Sequence, residues 1–429
     1  MGIAMGLTFF ALLVIGTPIA FCLGVAGAVG FLLHDPGLLR LIPQRMYAGV
    51  DSFPLMAVPF FILAGELMGT SGILARLVRL AEILVGHIRG GLAHVNIVAS
   101  MIFAGISGSA IADASALGVA LIPGMKNRFK NVNFAAAVCA GAATIGPIIP
   151  PSIPMVVYAY VVSQVSVGAL FLAGVVPGIL IGLGMMVIVY LIAKRRGYEP
   201  EGQHATRQEI GTALREAIWA LIMPIIILGG ILGGVFTATE ASAVAVGYAI
   251  LVGRLITREL TWQHVRRAIS NSAQVTAVVF ILVAASSIVS WLLTVTMVPA
   301  TIAAALRNLS ANPVVFLLIV NIFMLIVGCL LENLAAMIMI APILAPIASS
   351  YGIDPLHFGF VFVYNVVIGL LTPPVGAVLF TVCGIANVRI EAVFKEVLPF
   401  LLWQIAVLAL VTYVPVVAVG LPHFFGYGR

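Results

Sequence analysis

Uninterrupted apolar runs recur along this chain from Leu7 to its C-terminus, many reaching the roughly 20 residues that a helix needs to cross a hydrocarbon layer about 30 Å thick. Only 8% of the 429 residues are charged, whereas a soluble domain carries about 25%, so lipid rather than water surrounds this fold. A spanning chain satisfies its backbone N–H and C=O groups internally, which leaves helices or a closed barrel. A barrel would show short segments of alternating polarity; these runs are continuous, and an all-α polytopic membrane protein is expected. The first run, about Gly6 to Leu33, has no basic residue before it and exceeds a signal-peptide core, so it reads as one retained helix over about 5–33. Cys22, Cys139, Cys329 and Cys383 each stand alone in apolar stretches without CxxC spacing and read as packing residues. The net charge of +6 comes from Lys and Arg in short loops, a mark of cytoplasmic exposure rather than of a nucleic-acid partner.

The chain also matches itself at a shift of 223, the distance from Pro150-Pro151 to Pro373-Pro374. At that shift Ile145-Gly146 falls on Ile368-Gly369, Pro123 on Pro346, Ala112 on Ala335 and Phe171 on Phe394, without a gap. The turn Lys126-Asn127-Arg128-Phe129-Lys130 reads as cytoplasmic, while its counterpart Ser349 to Ile353, followed by Asp354, reads as periplasmic. The two copies are therefore expected to be inverted within one membrane domain. The first copy covers 1–196, with a re-entrant hairpin at about 92–123 and a broken helix at about 132–165. A cytoplasmic loop and linking helix follow over 197–238, and the second copy covers 239–429, with a hairpin at about 314–347 and a broken helix at about 356–387. This topology puts the N-terminus in the cytoplasm and the C-terminus in the periplasm, and it places Arg40 and Arg45 outside, against the charge rule.

A broken helix in a membrane survives only where protein, ion or substrate partners its freed backbone groups. Half-helix N-termini favour a carboxylate, and freed carbonyls with Ser or Thr hydroxyls favour sodium. The sodium candidates are Ser107, Gly108 and Ser109 at the first tip, Gly146 and Pro150 at the first break, Glu332 and Asn333 at the second tip, and Gly369, Thr372 and Pro373 at the second break. Ser152, Asn365 and Gly376 are the candidates for substrate. Each has a plainer reading. Ser-Gly-Ser also makes a close helix contact, a lone proline is often only a kink, and Glu332 could simply brace its tip. A carboxylate at membrane depth is functional by default; Asp113 and Glu240 are less well placed than Glu332 and read as structural.

The stretches FAGISGSAIADASALG from Phe103, IGPIIPPSIP from Ile145, GCLLENLAAMIMIAPILAPIA from Gly328 and GIDPLHFGFVFVYNVVIGLLTPPVGAVLF from Gly352 resemble the DctM-like large membrane subunit of tripartite ATP-independent periplasmic (TRAP) transporters over nearly the whole chain. The resemblance implies an elevator-type ion-transporter fold in the bacterial inner membrane. It further implies sodium-driven uptake of a small organic acid such as a C4-dicarboxylate or sialic acid, a small four-helix membrane subunit as partner, and a periplasmic substrate-binding protein. The family's sodium sites fall on Ser107 to Ser109 with Gly146 to Pro150, and on Glu332 to Asn333 with Gly369 to Pro373. Two departures stand out: Glu332 occupies a position where the family more often has Asp, and Pro147 adds a third proline to the first break. No four-helix subunit is appended, so that partner is expected to be a separate chain.

Three rivals differ in testable ways. A self-sufficient sodium-coupled di- or tricarboxylate carrier, or the tripartite tricarboxylate large subunit, would not depend on a TRAP binding protein. An intramembrane enzyme would need a nucleophile with its base, a metal cluster or facing aspartates, and the seven histidines are scattered. A passive channel would not need two closed tips in inverted copies.

Overall fold

Proline and glycine decide where the apolar runs break. The computed structural model describes residues 2–200 and 205–427, and the first run in it is two helices rather than the single helix expected. Between α1 (Gly2–Val14) and α2 (Ile19–His34), Gly16 takes a left-handed φ of +87° and Pro18 offers no N–H, so the chain reverses. Met5 comes to rest against Gly30 and Phe31. With 13 residues, α1 is about 20 Å long at 1.5 Å per residue, too short to span.

A 3-10 turn at Pro36–Arg40 leads to α3 (Leu41–Val50), and another at Pro54–Met56 leads to α4 (Ala57–Thr70); the two segments meet at a 61° bend. In α5 (Ile73–Val85) the buried residues Ile73, Leu77, Leu80 and Ala81 follow helical spacing, while Arg76 and Arg79 on the other side pair with Glu259 and Glu216. The first hairpin is α6 (Gly91–Ser107) and α7 (Ala110–Phe129), followed by α8 (Val132–Ala143), α9 (Ile153–Val161) and α10 (Val167–Arg195). A capping box between Thr206 and Glu209 starts α11 (Arg207–Leu232). Then come α12 (Ala238–Leu251) with a π turn at Val252–Ile256, α13 (Trp262–Val295), α14 (Val298–Leu309), and the second hairpin, α15 (Pro313–Leu330) and α16 (Asn333–Ser350). The chain ends in α17 (Pro355–Gly369), α18 (Ala377–Ala386), α19 (Ile390–Tyr413) and α20 (Val416–Phe424). The last apolar run is thus two helices, because Pro415 withholds the N–H that would continue α19. No strand forms among the described residues, where Arg89 and Pro200 make an isolated bridge.

The two broken helices run through the centre. α8 is buried at every residue from Phe134 to Ala143, and α17 at every residue from Leu356 to Gly369; a helix apolar all round belongs inside. Around them α1 to α4, α12 and α13 pack chiefly on one another, α7 to α10 pack on one another and on α15 to α20, and α5, α6 and α11 pack together and touch both groups.

Side-chain contacts place the mouths of the hairpins at opposite ends of the bundle. At one end Glu396 receives Asn131 at 3.1 Å and Arg196 at 2.6 Å, beside the turn after α7. At the other, Tyr351 donates to Ser310 O at 3.0 Å, and Asp354 lies 3.6 Å from His423. Tyr158, late in α9, lies against Gly359, early in α17, and Ile385, at the end of α18, lies against Gly118 of α7. Asn127 and Ser350 are exposed at these two ends. With the four native cysteines replaced, Asn127→Cys and Ser350→Cys are expected to label differently with an impermeant maleimide on whole cells, Ser350→Cys being the reactive one. Equal labelling would put both ends on one side of the membrane.

Candidate functional site

Each break is closed by its own hairpin. In the first, Ser152 caps α9, accepting from Met155 N at 3.3 Å and donating to Pro147 O at 2.6 Å. In the second, α17 stops at Gly369 and α18 resumes after Gly376, whose φ of +46° suits glycine. The Pro150-Pro151 and Pro373-Pro374 bonds are both cis. At the first tip, Gly108 O accepts from Ile153 N at 3.4 Å; at the second, Cys329 O accepts from Val375 N at 3.1 Å. Backbone contact is close here. A Cβ added at Gly108 would lie 2.6 Å from Pro151 O, and one at Gly369 would lie 2.5 Å from the carbonyl carbon of Gly328.

The tips meet in one cavity of about 670 Å³, lined by Ser107, Gly108, Ser109, Glu332, Asn333 and Leu370, with Glu66, Arg267 and Asn271 in the opposite wall. Ser109 caps α7, accepting from Ala112 N at 3.4 Å, and Glu332 caps α16, accepting from Leu334 N at 3.1 Å and Ala335 N at 3.3 Å. Both bonds use Oε2 of Glu332, so Oε1 is free among the described residues. Glu332 thus braces its tip and also presents charge to the cavity.

The other sequence candidates stand behind these tips. The Ser152 hydroxyl is buried and used within its break. Asn365 donates to Asn321 Oδ1 at 2.9 Å, and Asn321 donates to the Thr412 hydroxyl at 3.0 Å, a buried link between α17, α15 and α19. Thr372 donates to Ile368 O at 3.3 Å. Gly146, Pro150, Gly369, Pro373 and Gly376 contribute backbone rather than cavity surface.

Asp113 is the residue that the sequence reading undervalued. It is fully buried, its Oδ1 accepts from the Ser107 hydroxyl, and its Oδ2 has no partner among the described residues. A Cβ at Gly146 would lie 2.3 Å from that oxygen, so the carboxylate fills the gap between the first tip and the first break. It sits in the first turn of α7, at the positive end of the helix. The signal was available in the sequence: Asp113 lies one turn beyond Ser109, and the depth argument used for Glu332 applies equally to it. Glu240 differs, since it closes an exposed capping box with Thr237.

The family model described as Tripartite ATP-independent periplasmic transporter, DctM component, matches residues 7–417. The chain belongs to the DctM family. The sialic acid TRAP transporter large permease protein SiaM of Vibrio cholerae is 40% identical over 98% of this chain and 98% of its own length. The isethionate TRAP transporter permease protein DctMQ of Oleidesulfovibrio alaskensis is 42% identical over 97% of this chain, which spans 65% of that protein. The YdaH transporter of Alcanivorax borkumensis matches at 16% identity with a TM-score of 0.65, covering 90% of this chain and 91% of the other, which shows a common fold. This DctM-family chain is therefore a transporter permease subunit and not an enzyme, and no cluster of three His, Cys, Asp or Glu residues arranged to hold a metal occurs among its described residues.

Proposed function

We propose that the chain is the translocating subunit of a sodium-driven importer of a small organic acid in the bacterial inner membrane. The observation that carries sodium coupling is the free Oδ2 of Asp113, an unpaired carboxylate oxygen wholly inside the protein. A buried charge needs a partner, and a hard cation with oxygen ligands is the partner this site suits. The first ion site comprises Asp113 and Ser107, with backbone groups of Gly108 and the Gly146 to Pro150 break; Ser109 supports it as the cap. The second comprises Glu332 and Asn333 with the Gly369 to Pro373 break, including Thr372.

The substrate occupies the cavity between the tips, where the N-termini of α7 and α16 point. Sialic acid and isethionate, named for two relatives, are both small anions, in keeping with such a site. Ser152, Asn365 and Gly376 then shape the breaks behind the substrate. The packing supports an elevator in which the hairpins and broken helices move as a unit against α1 to α4, α12 and α13. A separate small membrane subunit enlarges the fixed group, and a periplasmic binding protein delivers the cargo.

The test is sodium-driven uptake in proteoliposomes holding this chain with and without the small subunit and the loaded binding protein. The chain alone is expected to accumulate nothing above background. Uptake by the chain alone, at a rate the other components do not raise, would make it a self-sufficient carrier.

A further inference from the structure

At the bundle end that carries Asp354, a second cavity of about 330 Å³ opens between α3, the end of α9, α13 and α16. The Arg45 guanidinium lies 4.8 Å over the ring of Trp291 in its wall, and Trp291 is itself stacked on Phe31 at 5.2 Å. This stack fixes the cation in place. Arg45 Nε is buried without an acceptor, and no carboxylate lies within ion-pair distance of Arg45 among the described residues. The neighbouring hydroxyls divide by duty. Tyr160 donates to Gly49 O and Ser287 to Val283 O, whereas Ser290 makes no side-chain hydrogen bond among the described residues. A buried donor left unmade is costly, and an arginine fork matches an oxyanion in two-point fashion. We propose that Arg45 and Ser290 form an oxyanion-binding subsite whose occupant is a carboxylate of the cargo, held before it reaches the hairpin tips. The cargo's identity rests on the transport reading above; the subsite itself rests on the unmatched guanidinium.

The experiment titrates the full chain in phosphatidylcholine nanodiscs with succinate and with N-acetylneuraminate in the absence of sodium, following tryptophan fluorescence. Subtracting Trp291→Phe isolates the Trp291 signal. Both probes, or the one resembling the natural cargo, are expected to change that signal, with half-saturation raised at least tenfold in Arg45→Gln and several-fold in Ser290→Ala. Arg45→Lys keeps the cation and loses the fork, so it should weaken binding while preserving the fold if Arg45→Gln does not assemble. Titrations identical in the parent, Arg45→Lys and Ser290→Ala would overturn the proposal. So would a Trp291 change produced by phosphatidylglycerol nanodiscs that neither carboxylate displaces, since the occupant would then be a lipid headgroup. Asp113→Asn should leave this sodium-free signal intact, so failure of the subsite and failure of sodium coupling are separately visible.

Discussion

Asp113→Asn is expected to raise the sodium concentration for half-maximal uptake by roughly 10- to 150-fold, the equivalent of losing a charge-assisted contact of about 1.5–3 kcal/mol. The substitution is nearly isosteric, and its amide oxygen can still accept from the Ser107 hydroxyl as Oδ1 does now. What it removes is the charge on an oxygen that has no partner among the described residues. Stability separates an ion ligand from a structural carboxylate. Without sodium the variant should be at least as stable as the parent, because an uncompensated buried charge has gone. Adding sodium should raise the melting temperature of the parent, as any ligand of the folded state does, and move the variant much less. A variant less stable in sodium-free buffer, with unchanged sodium dependence of uptake, would return Asp113 to a purely structural role.

Gly369→Val is expected to abolish uptake and reduce the yield of folded protein, and Gly369→Ala to lower stability by about 1–3 kcal/mol, the usual cost of overpacking. The atoms a Cβ would strike are backbone atoms of Gly328, at 2.5 and 2.6 Å, so no rotamer change relieves the clash. The hairpin must then draw away from the break, which also pulls at the bond from Val375 N to Cys329 O. Gly384→Ala is the control, because nothing lies within 4 Å of its added Cβ and alanine favours the helix. Parent-like melting and uptake in Gly369→Ala would mean that the second hairpin and its break need not stay in contact.

Much of this architecture is legible in the sequence because its breaks carry local marks. The Ser-Gly-Ser tip and the two Pro-Pro pairs occur where helical hydrogen bonding cannot continue, and α6 and α7, α8 and α9, and α17 and α18 are parted at those marks. The turn between α1 and α2 is marked only by Gly16 and Pro18 inside a continuous apolar run, and hydropathy passes over it. The first turns of α13, Trp262 to Ser270, mix charged, polar and apolar residues and are mostly exposed, so hydropathy does not mark its start, which the Thr261 cap does. At the site, the sequence says that polar atoms at membrane depth need partners without saying which. Ser152 finds its partner in Pro147, and the Asn365 amide nitrogen finds Asn321, while Asn365 Oδ1 and Asp113 Oδ2 are each left buried without a partner among the described residues.

The central position of α8 and α17 insulates them from the thickness of the surrounding bilayer. Neither helix exposes a face to acyl chains along its buried stretch. Hydrophobic mismatch in a thicker or thinner membrane acts on helices that meet lipid, through tilt and local deformation, and here those are outer elements such as α1, α10 and α13, with their exposed Leu7, Leu183 and Val278. The two breaks therefore keep their spacing while the rim adjusts, and their geometry is decoupled from the lipid composition in which the chain is embedded.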